Sequence, residues 1–181
     1  QMGVNINPLE RATLMIFLNK TCYNGMYRVN KKGLFNVPQG YYSKPVICDE
    51  INLKEVSKRL GNVTIVCGDY HLSYDFIDNK TFVYVDPPYR PLTETSNFGA
   101  YTEHIFKDDD QIEIADFVKQ ISAKGAKVLV SHSDPSYADE PDDFFHSIYR
   151  PFIIISVDAK RSINRNVNDR GRIKELLISN Y

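Results

Sequence analysis

The chain has 181 residues, of which 43% are hydrophobic and 25% are charged, and its formal net charge is −1. This balance is typical of a globular protein with one domain, a sizeable core and room for a small appended subdomain. No global basic excess indicates a nucleic-acid partner, so any such signal has to be local. No apolar run approaches the roughly 18 residues of a membrane span, which excludes a membrane-spanning function for this sequence.

The cysteines are widely spaced and odd in number, which favours a reducing cytoplasm over a disulfide scaffold; they are Cys22, Cys48 and Cys67. We therefore expect a cytoplasmic protein. Cys67 and His71 form a pair at the spacing of metal ligands, but no second pair completes a site. The sequence predicts no metal.

The first predicted element is a helix that runs to about Lys20. Asn7 is suited to cap it, Pro8 suits its first turn, and Glu10 stands three residues after the cap. Residues 14–18 are apolar all round, which predicts that this helix is well buried. A loop-and-hairpin region is expected over 21–42, because turn residues punctuate it.

The rest of the chain predicts an α/β protein with a mostly parallel sheet covered by helices, since strand and helix patterns alternate. A short helix over 53–60 precedes a strand over 63–66. Further strands are expected over 82–85, 127–131, 152–157 and 173–179, with helices over 108–123 and 142–149.

The strongest motif is Asp86-Pro87-Pro88-Tyr89, which directly follows the apolar strand over 82–85. Ligands bind beyond the carboxyl ends of strands in open α/β sheets. Each proline lacks a backbone donor and presents a rigid carbonyl, so Asp86 and Pro87 could accept the two protons of a nucleobase amino group, and Tyr89 could stack on the base. The alternative is a strand-ending turn with a solvated Asp and a core Tyr.

A second pattern is a local basic segment. Between Glu10 and Asp49 there is no acidic residue, yet there are six basic ones, with aromatic residues interleaved. Basic side chains meet phosphates, while aromatic rings, Arg and Asn stack on or read bases. A solvated basic face on a small hairpin is the alternative interpretation.

Taken together, the motifs resemble the Dam-like, D12-class family of adenine-specific DNA N6-methyltransferases. The stretch from Tyr84 to Thr93, with Asn97, Phe98 and Tyr101 downstream, is similar to the catalytic region of that family. Residues 21–30 and 33–38 resemble its target-recognition segment. The resemblance covers nearly the whole chain from Arg11 to Tyr181.

The resemblance implies a truncated Rossmann-like methyltransferase sheet with a small helix and hairpin target-recognition subdomain. The recognition segment would occupy 1–48 and the catalytic domain 49–181. The implied partner is double-stranded DNA, preferably at GATC sites. By similarity, Arg28 would read a guanine, Asn24 and Pro38 would contact other bases, and Tyr23 would enter the stack that the flipped adenine leaves. Further DNA contacts are expected from Lys31, Lys32, Asn97, Arg161, Ser162 and Asn164.

The implied cofactor is S-adenosylmethionine. Asp69 and Tyr70, at the end of the predicted strand, correspond to the pair that meets its adenine, and Asp86 would also contact it. The family's Phe-x-Gly-x-Gly turn has no counterpart here. We therefore expect the first strands of the sheet and part of the cofactor pocket to lie outside this sequence.

The predicted reaction is direct methyl transfer to N6 of a flipped adenine, in which Asp86, Pro87, Pro88 and Tyr89 form the catalytic motif. His132 follows the next strand, where the family usually carries Asn, and we expect a structural role for it rather than a catalytic one. The alternatives are another adenine site, an RNA substrate, a DNA-binding module without catalysis, or a cytosine-N4 or protein-amide methyltransferase.

Overall fold

A computed structural model describes residues 6–30, 32–90, 106–137, 142–160 and 172–181. The chain divides into two compact units, Gln1–Cys67 and Gly68–Tyr181. This is a division by packing. The functional boundary expected after residue 48 stays a prediction.

The first unit contains two helices, α1 (Pro8–Thr21) and α2 (Glu50–Leu60). The Asn7 side chain accepts from the Glu10 backbone N–H at 2.9 Å, and the Glu10 carboxylate accepts from the Asn7 N–H at 3.3 Å. This reciprocal capping confirms the predicted start of α1. The carboxylate of Asp49 caps α2 in a similar way, accepting from the Asn52 N–H at 3.0 Å.

The expected burial of α1 is wrong, because none of its residues is buried. Phe17 is 44% exposed, and Leu14 and Met15 are exposed to a similar degree. The physical reason is that no helix or strand among the described residues of its unit covers it. The element that packs on α1 within its unit is the short 3₁₀ turn Tyr23–Gly25, which is tied to the helix by a hydrogen bond from Asn19 Nδ2 to the Gly25 carbonyl.

The predicted strand over 63–66 is also wrong, since residues 63–67 form no strand in the structure. Ile65 is 74% exposed, and Val63 and Val66 are more than half exposed. A strand needs a neighbour that pairs with its backbone N–H and C=O groups. Among the described residues no strand pairs with this segment, so its apolar pattern does not produce a strand.

The second unit is built on four strands, β1 (Phe82–Val85), β2 (Lys127–Ser133), β3 (Ile153–Lys160) and β4 (Arg172–Ser179). Their order in the sheet is β1-β2-β4-β3. β1 and β2 pair in parallel, whereas β4 is antiparallel to both β2 and β3. The α/β class is confirmed, but the sheet is mixed rather than mostly parallel. The β3–β4 pair is antiparallel, which needs no helical crossover.

The helix α3 (Asp108–Ala123) joins the two parallel strands and covers the sheet. Three aspartates in its first turn complement the positive end of the helix dipole. Its buried face presents Ile114, Val118 and Ile121 at helical spacing to the core. After the helix, Gly125 adopts a φ of 90°, and a side chain there would meet Asn79 at 2.9 Å.

The core of this unit lies between α3, the sheet and the short helix α4 (Phe144–Ile148). Val128, Val130 and Ile178 from the central strands are fully buried, as is Phe145 of α4. No helix in the described part of the chain is long and apolar enough to cross a membrane.

Asn180 connects three elements of this core, which generates a prediction about stability. Its Oδ1 accepts from the Val128 N–H at 2.8 Å, and its Nδ2 donates to Ser122 Oγ at 2.7 Å and to the Ala126 carbonyl at 2.8 Å. We expect Asn180→Ala to lower the free energy of unfolding by about 1–3 kcal/mol, because buried backbone groups lose their partners. Urea denaturation followed by circular dichroism measures this.

The matched control is Gln120→Ala on the exposed face of α3. It should change the free energy of unfolding by less than about 0.5 kcal/mol. Equal effects of the two substitutions would show that Asn180 does not link the core.

Candidate active site

The site begins where the two parallel strands end side by side. Val85 is paired with Val130 in the register of β1 and β2, which places Asp86 next to Ser131. Ser131 Oγ donates to Asp86 Oδ1 at 3.1 Å, and the Tyr84 hydroxyl donates to Ser131 Oγ at 2.9 Å. One carboxylate oxygen of Asp86 is therefore held by the neighbouring strand. The other, Oδ2, has no donor among the described residues.

The two prolines that follow have no backbone N–H, so they cannot donate a hydrogen bond to a neighbouring element. The structure instead holds carbonyl oxygens of this segment by side chains from other elements. Gln111 Nε2 of α3 donates to the Pro88 carbonyl at 2.9 Å, and Ser133 Oγ of β2 donates to the Arg90 carbonyl at 2.9 Å. The segment is thus fixed from two sides.

Arg90 directly follows the motif and forms ion pairs with two aspartates. Its guanidinium donates to both carboxylate oxygens of Asp108, with Nε–Oδ1 at 2.8 Å and Nη2–Oδ2 at 3.0 Å. It also pairs with Asp142 and lies over the Phe144 ring, 4.6 Å from its centroid. This bidentate geometry links the motif to the starts of α3 and α4.

Beside the motif lies a cavity of about 590 Å³, formed within the second unit. Its lining contains five of the predicted site residues, Asp69, Tyr70, Asp86, Pro87 and Pro88, together with Phe106 from before α3. The volume is in the range of small-molecule sites. The structure therefore brings the two predicted halves of the site together around one space.

Asp69, which also lines this cavity, is a second carboxylate acceptor. It accepts from the His71 backbone N–H at 2.9 Å, and His71 Nδ1 lies 2.6 Å from its Oδ1. These hydrogen bonds, the backbone one first, lower the pKa of Asp69. The carboxylate is therefore ionised at neutral pH, and it can accept a hydrogen bond from a ligand amino group.

Aromatic side chains follow Asp69 in the chain and pack against α3. Tyr70 stacks on His71 with a centroid distance of 4.2 Å and meets the edge of Phe117 at 5.0 Å. Burial, followed by the charges of Glu113 and Asp69, raises the pKa of Tyr70 to about 12, so its hydroxyl stays neutral. This part of the cavity lining is therefore aromatic and carries an anionic acceptor, a combination that suits a purine with an amino group.

His132 does not have the surroundings of a general base. It is fully buried and stacks on Phe145 at 4.1 Å, with Tyr89 at 5.7 Å on another side. Neither ring nitrogen has a hydrogen-bond partner among the described residues. Burial lowers the pKa of His132 to about 3, so the ring is neutral. Its packing agrees with the expected structural role.

The first unit exposes the predicted base-contacting residues that the structure describes. Tyr23, Asn24 and Pro38 lie together, because the Tyr23 N–H donates to the Pro38 carbonyl at 2.8 Å. Asn24 has a φ of 53°, in the left-handed region that Asn tolerates better than most residues. Lys32 is exposed as well. These side chains are accessible to a ligand.

Arg28 lies on the same hairpin and is also exposed. Its Nε donates to Asn36 Oδ1 at 2.9 Å, and its Nη2 donates to the Asn36 carbonyl at 3.1 Å. The bridge between Val29 and Phe35 brings the two segments together. Asn36 therefore holds the guanidinium across the hairpin.

Several predicted DNA-contacting residues lie outside the described residues and keep the status of expectations; they are Lys31, Asn97, Arg161, Ser162 and Asn164. Among the described residues no group of three or more His, Cys, Asp or Glu could hold a metal ion.

Sequence reasoning missed Gln111 and the contacts of Ser131. A signal for Gln111 was present, because it precedes Ile114 and Val118 at the spacing of the buried face of α3. A polar residue at a buried position of an amphipathic helix indicates a specific hydrogen bond. Ser131 gave no comparable signal, since only the strand register shows that it faces Asp86.

Fold and site together define an α/β protein whose ligand cavity lies at the carboxyl end of a parallel strand. A family model described as D12 class N6 adenine-specific DNA methyltransferase matches residues 4–163. The chain belongs to this family, which confirms the resemblance seen in the motifs.

The chain is similar to several curated proteins along almost its whole length. It is 51% identical over 176 residues to the Type II methyltransferase M.MjaIII of Methanocaldococcus jannaschii, covering 97% of this chain and 59% of that protein. It is 35% identical over 178 residues to the DNA adenine methylase of Serratia marcescens, covering 98% and 63%. With the DNA adenine methylase of Escherichia coli K12, the identity is 34% over 171 residues, covering 94% and 59%. The chain thus spans about three fifths of the length of these relatives.

The buried neutral histidine generates a prediction about pH. Because the pKa of His132 lies near 3 in the folded protein and near 6.5 when the ring is exposed, the unfolded chain binds more protons between these values. The contribution of His132 to the free energy of unfolding is therefore largest above pH 6.5. It should fall as the pH is lowered, by up to about 1.4 kcal/mol per pH unit.

Urea denaturation of wild type and His132→Leu at several pH values isolates this contribution, since the other titrating groups are common to both. The difference in unfolding free energy between the two should change towards acid pH, because only the wild type loses the contribution of the histidine. Parallel pH curves would contradict a neutral buried His132.

Proposed function

We propose that this chain methylates N6 of adenine in duplex DNA, at GATC sites, with S-adenosylmethionine as the methyl donor. The observation that carries the proposal is the placement of Asp86, Pro87 and Pro88 around the same cavity as Asp69 and Tyr70. The first three residues offer acceptors for a base amino group, and Asp69 offers an acceptor beside aromatic rings.

The acceptors at the motif match the needs of an exocyclic amino group. Ser131 occupies Oδ1 of Asp86 and Gln111 occupies the carbonyl of Pro88. Asp86 Oδ2 and the Pro87 carbonyl have no donor among the described residues. Hydrogen bonds from N6 to these two oxygens would hold its lone pair out of conjugation with the ring, which makes the nitrogen nucleophilic. The Asp86 carboxylate can then take the proton that N6 loses.

Asp69 and the neighbouring aromatic residues suit the proposed donor. Asp69 would accept from the adenine amino group of S-adenosylmethionine, and Tyr70 and Phe117 offer an aromatic wall for the ring. Asp86 is placed to favour a nearby positive charge. When bound, S-adenosylmethionine supplies an electrophilic methyl group on a sulfonium.

The target adenine would have to leave the duplex to reach the cavity, at a cost of a few kcal/mol. Tyr89 does not line the cavity, but its ring is 38% exposed and packs near the buried His132, and we propose that it stacks on the base. Positioning and fixed electrostatics provide the catalysis, and no covalent intermediate with the protein is needed.

The first unit would read the DNA sequence, with residues 1–48 as the recognition segment and 49–181 as the catalytic domain. Arg28 presents a fork that suits the O6 and N7 acceptors of guanine. Tyr23, Asn24 and Pro38 form an exposed group that could enter the base stack and contact neighbouring bases. Lys31 and Lys32 would contact phosphates.

Asp86→Asn tests the catalytic proposal. The amide keeps the shape of the side chain but loses the charge and the ability to take a proton, so we expect kcat to fall by about 100-fold or more. The measurement is N6-methyladenine formed in a GATC duplex, quantified by mass spectrometry of the nucleosides. Asp116→Asn on the exposed face of α3, where Asp116 pairs with Lys119 at 2.9 Å, is the control and should keep the wild-type rate.

A wild-type rate of N6-methyladenine formation by Asp86→Asn would contradict the mechanism. A wild-type chain that binds donor and duplex but forms no product would refute methylation by this chain.

Arg28→Ala tests sequence reading. We expect the preference for the GATC duplex over a duplex with the guanine replaced to fall by about 5- to 150-fold, which corresponds to 1–3 kcal/mol. Fluorescence anisotropy at fixed salt measures both affinities. Asn36→Ala removes the partner of Arg28 without removing the guanidinium, so it should keep the preference.

Lys32→Ala provides the contrasting case. Loss of a phosphate contact should weaken binding to both duplexes equally and reduce the slope of affinity against salt by about one. If Arg28→Ala keeps the preference for the GATC duplex over the duplex with the guanine replaced, Arg28 does not recognise that guanine.

A further inference from the structure

We infer that Gln111 is a positioning residue that sets the conformation of the Asp-Pro-Pro-Tyr motif by holding the carbonyl oxygen of Pro88. This inference rests on the proposed function, because it assigns Gln111 to the reaction proposed for the motif. Gln111 does not line the cavity itself. It would act through Pro88 rather than by touching the substrate.

The hydrogen bond has only one possible direction. Gln111 Nε2 lies 2.9 Å from the Pro88 carbonyl oxygen, which can only accept. The amide nitrogen must therefore face Pro88. Oε1 is then directed elsewhere, and it is buried with no hydrogen-bond partner among the described residues.

The position itself favours an apolar residue. Gln111 is 1% exposed and lies on the face of α3 that carries Ile114, Val118 and Ile121 into the core. A buried polar atom without a partner costs free energy that a leucine would not cost. A site that breaks the local packing rule in this way is expected to serve function.

The contact with Pro88 provides such a function. Pro87 and Pro88 have no N–H, so their carbonyls are the only backbone groups by which other elements can hold this stretch. Gln111 takes the Pro88 carbonyl, and Ser133 takes that of Arg90. The Pro87 carbonyl, between Asp86 and these held groups, is left for the amino group of the base. Gln111 thus determines which of two adjacent carbonyls meets the substrate.

The test compares Gln111→Leu and Gln111→Glu with the same substitutions at Gln120, which is exposed on the same helix. We expect both Gln111 variants to bind S-adenosylmethionine within about twofold of wild type while kcat at neutral to alkaline pH falls by about 10- to 100-fold, because the acceptors of the motif shift relative to N6. Both Gln120 variants should keep the wild-type kcat.

The pH profile separates positioning from a structural role. The carboxyl group that Gln111→Glu introduces can donate to the Pro88 carbonyl when it is protonated, and it cannot when it is ionised. We therefore expect kcat of Gln111→Glu to recover towards acid pH through an ionisation that wild type and Gln111→Leu lack. Loss of kcat in Gln111→Glu without this recovery would overturn the inference.

Amide hydrogen exchange at Tyr89 and Arg90 gives a readout that does not depend on activity. We expect exchange to be at least about fivefold faster in Gln111→Leu, since the Pro88 carbonyl is released. If exchange is faster in Gln111→Leu but the wild-type chain does not methylate DNA, the proposed function is refuted. The role of Gln111 in holding the Pro88 carbonyl would still stand. Exchange and kcat both unchanged in the two Gln111 variants would refute the role of Gln111.

Discussion

The parallel pairing of β1 with β2 is the constraint on which the rest of the site depends. Because the two strands run in the same direction and in this register, Asp86 emerges beside Ser131. The hydrogen bond between them orients one carboxylate oxygen and leaves the other directed away. α3 connects the two strands, and its residue Gln111 donates a hydrogen bond to the Pro88 carbonyl. The connection that makes the pairing parallel therefore also supplies part of the site.

A motif rich in proline is rigid along its own backbone but cannot hold itself in place. Its two prolines lack the N–H groups through which loops usually bond to their neighbours. Side chains of other elements replace these donors, and Arg90 adds a bidentate ion pair to Asp108 at the start of α3. The two acceptors proposed for the base have no donor among the described residues. The backbone of the motif is rigid, and side chains hydrogen-bond some of its acceptors and leave others free within the described part of the chain. Together these properties give the preorganisation that methyl transfer to a weak nucleophile requires.

Much of the second unit could be predicted from the sequence, because its elements satisfy their own patterns. The helix over 108–123 and the strand over 82–85 were expected from local sequence patterns, and the structure confirms both. The strand expected over 63–66 and the buried α1 failed for one reason. Their apolar patterns indicate which residues could be buried, but burial also needs a neighbouring element. In the described part of the chain no element covers them.

Within the site, residue types could be predicted but contacts could not. Asp86 and Asp69 stand out because each ends an apolar run, and the structure places both around one cavity. The contributions of Ser131 and Gln111 depend on strand register and on the packing of α3, which are long-range properties. The same holds for the bond between Arg28 and Asn36, which only the hairpin brings together.

The most direct test of the central claim, that the cavity at the end of β1 holds the methyl donor, is calorimetric titration with S-adenosylmethionine in the presence of a GATC duplex. We predict saturable binding to the wild-type chain and an affinity at least about tenfold lower in Asp69→Asn, which loses the charged acceptor. The control is Asp49→Asn, which exchanges one good helix-capping residue for another at the start of α2. This variant should bind S-adenosylmethionine with the wild-type affinity. A folded chain that holds the duplex yet gives no saturable heat with the donor, or equal affinity in Asp69→Asn, would contradict the claim.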